Sequence, residues 1–383
     1  MTISPNPGTG NVTTFMRTSP PLAGIVESFD DGIVVLSPSS QRPVRRVLYV
    51  NSYGGNDILA KIKAGLFPAH HLWGCIELVR RGYEVAIAEP LPHFYWYRHP
   101  LPHDLKLFRA AINWLGKDGI IYCGHTLLYW LPLFRLIGII RSPIISLTYA
   151  RESLDFARAH TGIIALTPAA ADQARKMAPR AKVRHLSWGA DVSFFPTASY
   201  SPEWFLSCGI AQRDFTTLSA AASLCHNSLR VICPGLPPGL LWPSHVRLVD
   251  GGQGWNFEKS VVTFEELLRE YYRGCTASLI ILKADPAQKT AVGITNLIEA
   301  MAMARPVIVT RTGALPTEID VERAGIGLYV PPEDPQALAD AITTLANDRD
   351  TASSMSRTAR LLCESHYNMD RFSSDLHQFF ESF

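Results

Sequence analysis

Twice along the chain, short apolar runs alternate with helix-length stretches, and this double alternation restricts the fold more than any other feature. VLYVN (47–51) ends in Ser52-Tyr53-Gly54-Gly55, followed by a helical stretch around 70–81 and then YEVAIAEP (83–90). Strand, glycine turn, helix and strand make a βαβ unit, which requires a parallel sheet. The series continues through a helix near 104–116, GIIYC (119–123), PIISLTY (143–149), GIIALT (162–167), a helix over 168–178 and KVRHLS (182–187). A second series follows Trp188-Gly189-Ala190-Asp191 and a loop ending at Pro196. It runs WFLSCG (204–209), helix 214–225, RVICPG (230–235), VRLVD (246–250), helix 264–273, SLIILK (278–283), helix 295–304, PVIVT (306–310) and helix 335–347. The expected class is α/β, with two Rossmann-like, doubly wound domains.

The 383 residues, 47% of them hydrophobic, are enough for two cores of ordinary size. The boundaries fall at 46–195 for a front domain and 196–367 for a back domain. Residues 1–45, rich in Ser, Thr, Pro and Gly, read as a leader. Within it GIVESF and GIVVLS flank Asp30-Asp31-Gly32, a hairpin turn signal, and the hairpin is expected to decorate the main fold. In 368–383, Phe372, Leu376, Phe379 and Phe380 recur at helical spacing.

The net charge of +2 conceals a split. Residues 1–195 carry 21 Lys and Arg against 13 Asp and Glu, and residues 196–383 carry 15 against 21. A basic front half suits an anionic acceptor or a membrane surface. The seven cysteines are scattered without CxxC spacing, which argues against a zinc site or a disulfide framework and fits a reducing cytosol. The opening MTISPNPGTG has neither the basic nor the apolar region of a secretory signal. The most apolar stretch, 119–150, is broken by His125, Pro132, Arg135, Arg141 and Pro143, short of the roughly 20 residues of a spanning helix. A cytoplasmic protein with peripheral membrane contact at most is expected.

The chemistry concentrates in 287–334. Gly293 stands where a loop enters the helix that begins Ile294-Thr295-Asn296-Leu297. A helix start offers free N–H groups and a positive dipole end to a phosphate. Gly293 allows close approach of a ligand to the backbone. Glu299, about one and a half turns in, can accept hydrogen bonds from a ribose diol. By spacing alone, a packing glycine and an exposed glutamate are the better account of the pattern.

GITNLIEAMAMARPVIVTRTGALPTEI followed by GIGLYVPPEDPQALADAI resembles the donor-binding module of glycosyltransferase family 4. So does the order of WGADVSFFP, CGIAQRDFTTLSAA and YYRGCTASLIILK, across roughly 160–365, with a looser likeness over 46–130. The resemblance implies the GT-B fold, two domains facing across a cleft, and retaining transfer of a hexose from a nucleotide sugar. A UDP-sugar is favoured, and the acceptor is the hydroxyl of a glycan, a lipid or a small molecule. It implies that Glu299 holds the ribose, as the second glutamate of E-x7-E. Thr295, Asn296 and Leu297 hold the diphosphate through their amides, Arg213 grips it, and Gly54 and Gly55 close on it from the front domain. It also implies that helix 368–383 packs back on the front domain. Two departures stand out: Ala291 replaces the first glutamate, and Ile210 replaces the arginine of a Gly-Arg pair, with Lys289 a candidate second cation.

His125, after strand 119–123, is a candidate contact for donor sugar or acceptor, and His70 and His71, after Pro68, for the acceptor. Phe94-Tyr95-Trp96-Tyr97 could stack on a sugar, lie at a lipid interface or pack in a core. No Asp-x-Asp pair falls in a suitable loop, so no metal is assigned, no cofactor beyond the nucleotide-sugar co-substrate, and no nucleic-acid partner. A nucleotide-sugar epimerase of the same fold and a catalytically silent nucleotide-sugar binder are the rival readings.

Overall fold

The structure, a computed structural model, describes residues 22–30, 33–39, 42–51, 55–88, 109, 112–124, 134–148, 160–196, 200–209, 211–233, 239–250, 262–284, 292–312 and 319–383. Two sheets organise it. The front sheet holds β1 (Ile25–Asp30), β2 (Ile33–Pro38), β3 (Arg46–Val50), β4 (Glu84–Ala88), β5 (Ile120–Cys123), β6 (Ile144–Thr148), β7 (Gly162–Ala165) and β8 (Lys182–His185). Their order is β1-β2-β4-β3-β5-β6-β7-β8, with β3 to β8 parallel. Val47, Leu48, Tyr49 and Val50 are all fully buried, the continuous apolar run expected of a strand covered on both faces. The hairpin β1–β2 is not a decoration. Val34, Val35 and Leu36 of β2 pair antiparallel with Ile87, Ala86 and Val85 of β4, so the hairpin extends the sheet.

Between β3 and β4 lie α1 (Gly55–Lys63), which the sequence series omits, and the expected helix over 70–81, split into a 3-10 turn (Ala69–Leu72) and α2 (Cys75–Arg80). Gly65 at φ 73°, Trp73 at φ 51° and Gly74 at φ 88° take left-handed conformations that stop a helix, and Pro68 removes a donor between them. This interruption carries His70 and His71 out of helical register. Further on, α3 (Pro168–Met177) is capped by the Thr167 side chain, which accepts from the Ala170 N–H.

The back sheet is β11-β10-β9-β12-β13-β14, all parallel, formed by β9 (Trp204–Cys208), β10 (Leu229–Cys233), β11 (Val246–Asp250), β12 (Cys275–Ile280), β13 (Val307–Thr310) and β14 (Gly327–Val330). Around it lie α4 (Phe215–Leu224), α5 (Phe264–Glu266) running into a π turn (Leu267–Tyr272), α6 (Ile294–Ala302), α7 (Pro335–Asn347), α8 (Arg349–Ser365) and α9 (Met369–Phe380). The sequence series omits β14 and α8. The first is only four residues long, and the buried side of α8 is made of small residues, Ala352, Ala359 and Cys363, which leave a weak apolar period.

The chain passes between the domains twice, and the two passages are tied together. Ala190 N–H donates to Tyr367 O at 2.8 Å and Met369 N–H to Ala190 O at 3.1 Å. A Cβ on Gly189 would lie 2.4 Å from the Asn368 backbone, so only glycine permits this approach. Beyond that tie α9 lies on the front domain. Arg81 reaches Ser373 Oγ and Asp370 O, Tyr83 OH meets His377 Nδ1 at 2.8 Å, and Phe372, Leu376 and Phe380 are buried. One apolar cluster runs unbroken from Tyr49 and Leu72 through Trp188 and Phe195 to Leu206, Ile298 and Met301. The two domains therefore share a core where they meet.

Candidate active site

In the back sheet the strand order reverses between β9 and β12, the place where open α/β sheets bind ligands beyond the carboxyl ends of their strands. After β9 the chain turns sharply, with Gly209 at φ 109° and Gln212 at φ 51°, and Arg213 forms an isolated bridge to Leu282 beyond β12. The turn folds the Arg213 guanidinium inward. Nη1 donates to Ala211 O at 2.9 Å, and Nη2 donates to Cys208 O and to Asn296 Oδ1 on α6. A Cβ on Gly209 would stand 2.6 Å from Arg213 Nη2 and 2.8 Å from Asn296 Oδ1, so a side chain there would displace both groups.

Arg213 is 5% exposed, and burial pulls its pKa below the usual range. Among the described residues no carboxylate lies within ion-pair distance of it. Its neighbour Asp214 is occupied as the cap of α4, accepting from Thr217 N–H and Oγ1–H. A desolvated guanidinium bonded to neutral oxygens has the charge to take an anion as a further partner.

The start of α6 adds to that charge. Gly293 is its N-cap at φ 86°, no side chain caps the end, and the first turn holds no acidic residue. By helix geometry the N–H groups of Ile294, Thr295 and Asn296 have no intrahelical acceptor, so they and the dipole end remain for an anion. Leu297 does not join them. Its N–H donates to Gly293 O at 3.0 Å and its side chain is buried, because it already lies one turn in.

Glu299, one turn beyond Asn296, has a side chain only 3% exposed, and the groups facing it come from the front domain. His70 Nε2 lies 3.5 Å and His71 Nε2 3.8 Å from Glu299 Oε1, both longer than a well-formed hydrogen bond. Burial alone would push the carboxyl up. The two imidazoles outweigh it and hold Glu299 below the usual carboxylate range. For His71, burial and then His70 prevail over the attraction of Glu299 and lower its pKa to about 4, so the ring is neutral at pH 7. His70, expected as an acceptor contact, is fully buried and faces Glu299 instead. The cause is the broken helix, which turns both histidines toward the back domain.

The ligand atoms of His70, His71 and Glu299 lie within 4.8 Å of one another, a spacing a metal could bridge. The hydrogen bonding of His70 opposes that. Its Nδ1 accepts from the Asp191 N–H at 3.2 Å, so the proton of the neutral ring is on Nε2, the atom that would have to ligate. A metal-bound histidine has the reverse arrangement, donating from its other nitrogen.

Gly55 opens α1 and is buried, and a Cβ there would meet Ile87 Cγ2 at 2.9 Å. Gly54, Lys289, His125 and the aromatic run 94–97 lie outside the described residues, as do Ala291 and Ile210. The site also includes residues without a motif to announce them. Asp191 binds the histidine turn, and Cys208, its thiol pushed up to about 11 by burial, accepts from Asn296 Nδ2 at 3.2 Å and neighbours Tyr272 OH at 3.6 Å. The one available signal for Asp191 was its place in the interdomain segment WGADVSFFP.

Residues 217–348, most of the back domain, match the family described as Glycosyl transferases group 1. No curated protein sequence is significantly similar to the chain. Three solved structures share its fold. Sucrose-phosphate synthase from Thermosynechococcus elongatus superposes with a TM-score of 0.63 at 16% identity, covering 88% of this chain and 98% of its own. A glycosyltransferase from Rickettsia africae gives 0.61 at 13%, covering 88% and 98%. HepE from Anabaena, solved in complex with UDP and glucose, gives 0.60 at 14%, covering 88% and 100%. Residues 217–348 thus match the model of the group 1 glycosyl transferases, and the chain as a whole carries the two-domain GT-B fold of these structures.

Proposed function

We propose that this protein transfers a hexose from a nucleotide sugar, with a UDP-sugar favoured, to a hydroxyl of a glycan, lipid or small-molecule acceptor, with retention of anomeric configuration. The observation that carries the reading is Arg213, a buried cation with no carboxylate partner among the described residues, set beside the uncapped start of α6. In this reading the donor diphosphate lies on the amides of Ile294, Thr295 and Asn296 with Arg213 behind it. As the glycosidic bond breaks, negative charge grows on the departing diphosphate, and a fixed guanidinium and fixed amides are worth most at that moment. Glu299 receives the ribose hydroxyls past His71, whose side chain is 16% exposed, whereas that of His70 is fully buried. HepE, solved with UDP and glucose, supports the choice of base.

The reading extends to peripheral contact of the front domain with an anionic membrane. Leu136, Ile137 and Ile139 are 60–66% exposed beside Arg135 and the exposed Arg141. Among the described residues no helix is long and apolar enough to cross a membrane.

A thermal-shift screen of UDP-, GDP-, ADP- and dTDP-sugars, followed by NMR of the products, tests the proposal. UDP-sugars should raise the melting temperature most, and the product should keep the donor's anomeric configuration. An inverted product would refute retention. A new nucleotide sugar formed without acceptor would establish the epimerase instead. The absence of both stabilisation and turnover with all four would refute the donor class.

A further inference from the structure

Glu299 belongs to the back domain, yet its Oε1 faces two side chains of the front domain and has no formed hydrogen bond. Of the two, His70 is the nearer and the fully buried one. Its Nδ1 accepts from the Asp191 N–H, its ring stacks on Phe195 at 5.9 Å and meets the edge of Trp188 at 5.4 Å, and none of it is exposed. Asp191 is fixed in turn, its Oδ2 accepting from the Ala69 N–H at 2.9 Å and its Oδ1 from Ser193 Oγ at 2.6 Å. The chain of contacts begins in the segment joining the domains and ends on the carboxylate. Because Nδ1 accepts, the His70 proton is on Nε2, the ring nitrogen 3.5 Å from Glu299 Oε1.

We propose that His70 is a positioning residue of the nucleotide site: from the front domain it orients the Glu299 carboxylate, so that nucleotide affinity depends on the two domains being docked. This rests on the reading of Glu299 as the ribose acceptor. The physical basis is the cost of a buried carboxylate oxygen without a donor. Nε2–H supplies the nearest donor, and closing its 3.5 Å gap fixes one carboxylate oxygen and leaves the other to the ribose. His71 lies farther away, its Nε2 3.8 Å from the same oxygen.

Two substitutions separate positioning from packing. His70→Asn keeps an acceptor for the Asp191 N–H in place of Nδ1 but is too short to reach Glu299. His70→Gln keeps an N–H near the place of Nε2. UDP is titrated calorimetrically into the wild type, both variants, Glu299→Ala and the His70→Asn/Glu299→Ala double variant, with melting temperature read in parallel. His70→Asn should weaken UDP binding about tenfold, while His70→Gln should stay within about threefold of the wild type. In the Glu299→Ala background His70→Asn should add nothing, since the two losses share one interaction. Wild-type UDP affinity in His70→Asn, additive losses in the double variant, or equal losses in Asn and Gln that follow the melting temperature would each overturn the proposal. If Glu299→Ala weakens UDP and His70→Asn does not, the ribose reading stands and this inference falls. If Glu299→Ala binds UDP normally, both fall.

Discussion

Arg213 donates through Nη2 to Asn296 Oδ1, so the turn after β9 and the first turn of α6 meet in a single side-chain contact. The contact holds the cation of the site against the helix start that would bind the diphosphate. Arg213→Ala should lower kcat for UDP-sugar turnover by about a hundredfold or more, as loss of one preorganised donor does elsewhere. Donor KM should change far less, because the charge that Arg213 meets grows in the transition state. Arg213→Lys should recover only part, since an ammonium cannot reproduce a fork of two N–H groups. A near-normal kcat in the alanine variant would remove Arg213 from the chemistry.

Gly189 is the tightest point of the double passage between the domains. A methyl group there would push against Asn368 backbone atoms at 2.4 Å, and these cannot move without separating Ala190 from Tyr367 and Met369. Gly189→Ala should destabilise the protein by about 2 kcal/mol or more, as overpacking against fixed atoms does. Urea unfolding measures this, and an unchanged midpoint would show that the passages give way easily.

The alternation of strands and helices was legible because parallel strands buried on both faces form uninterrupted apolar runs such as VLYV and IISL. The start of α6 was legible too, since a glycine before a helix follows chain order, whereas Arg213 was singled out only by the family resemblance. The partners of Glu299 were not. His70 and Glu299 are 229 positions apart, and they meet only because Pro68 and Gly74 break a helix that the apolar period alone would continue. The hairpin β1–β2 was misjudged for a related reason. Alternating residues show that a hairpin has an apolar face, while the sheet edge that receives it is a matter of tertiary packing.

His160 gives the fold a dependence on acid. Burial lowers its pKa to about 3, and its Nδ1 lies 2.5 Å from Ser146 Oγ. The folded protein keeps the ring neutral, while the unfolded chain protonates it below about pH 6.5. The unfolded state therefore binds more protons as pH falls, and stability declines below that pH by up to about 1.4 kcal/mol per unit. Urea midpoints between pH 7 and 4 should fall less steeply in His160→Asn than in the wild type. Parallel slopes would place the acid sensitivity elsewhere.

Association with anionic vesicles should weaken between about 0.05 and 0.5 M salt, because screening shortens the reach of exposed charge. Replacing Leu136, Ile137 and Ile139 together by Asp should abolish it while leaving UDP binding intact. Vesicle association that ignores both changes would reduce the basic front half to surface composition. Self-association of the wild type that the aspartates abolish would identify a second copy of the chain as the occupant of this patch.

The central claim is that a nucleotide lies across the start of α6 with its ribose on Glu299, and calorimetric titration of UDP tests it most directly. The wild type should bind UDP. Glu299→Ala should bind it at least about tenfold more weakly, given roughly 1.5 to 3 kcal/mol for each hydrogen bond to a charged acceptor, and should still unfold cooperatively. Equal UDP affinity in the two proteins would contradict the account.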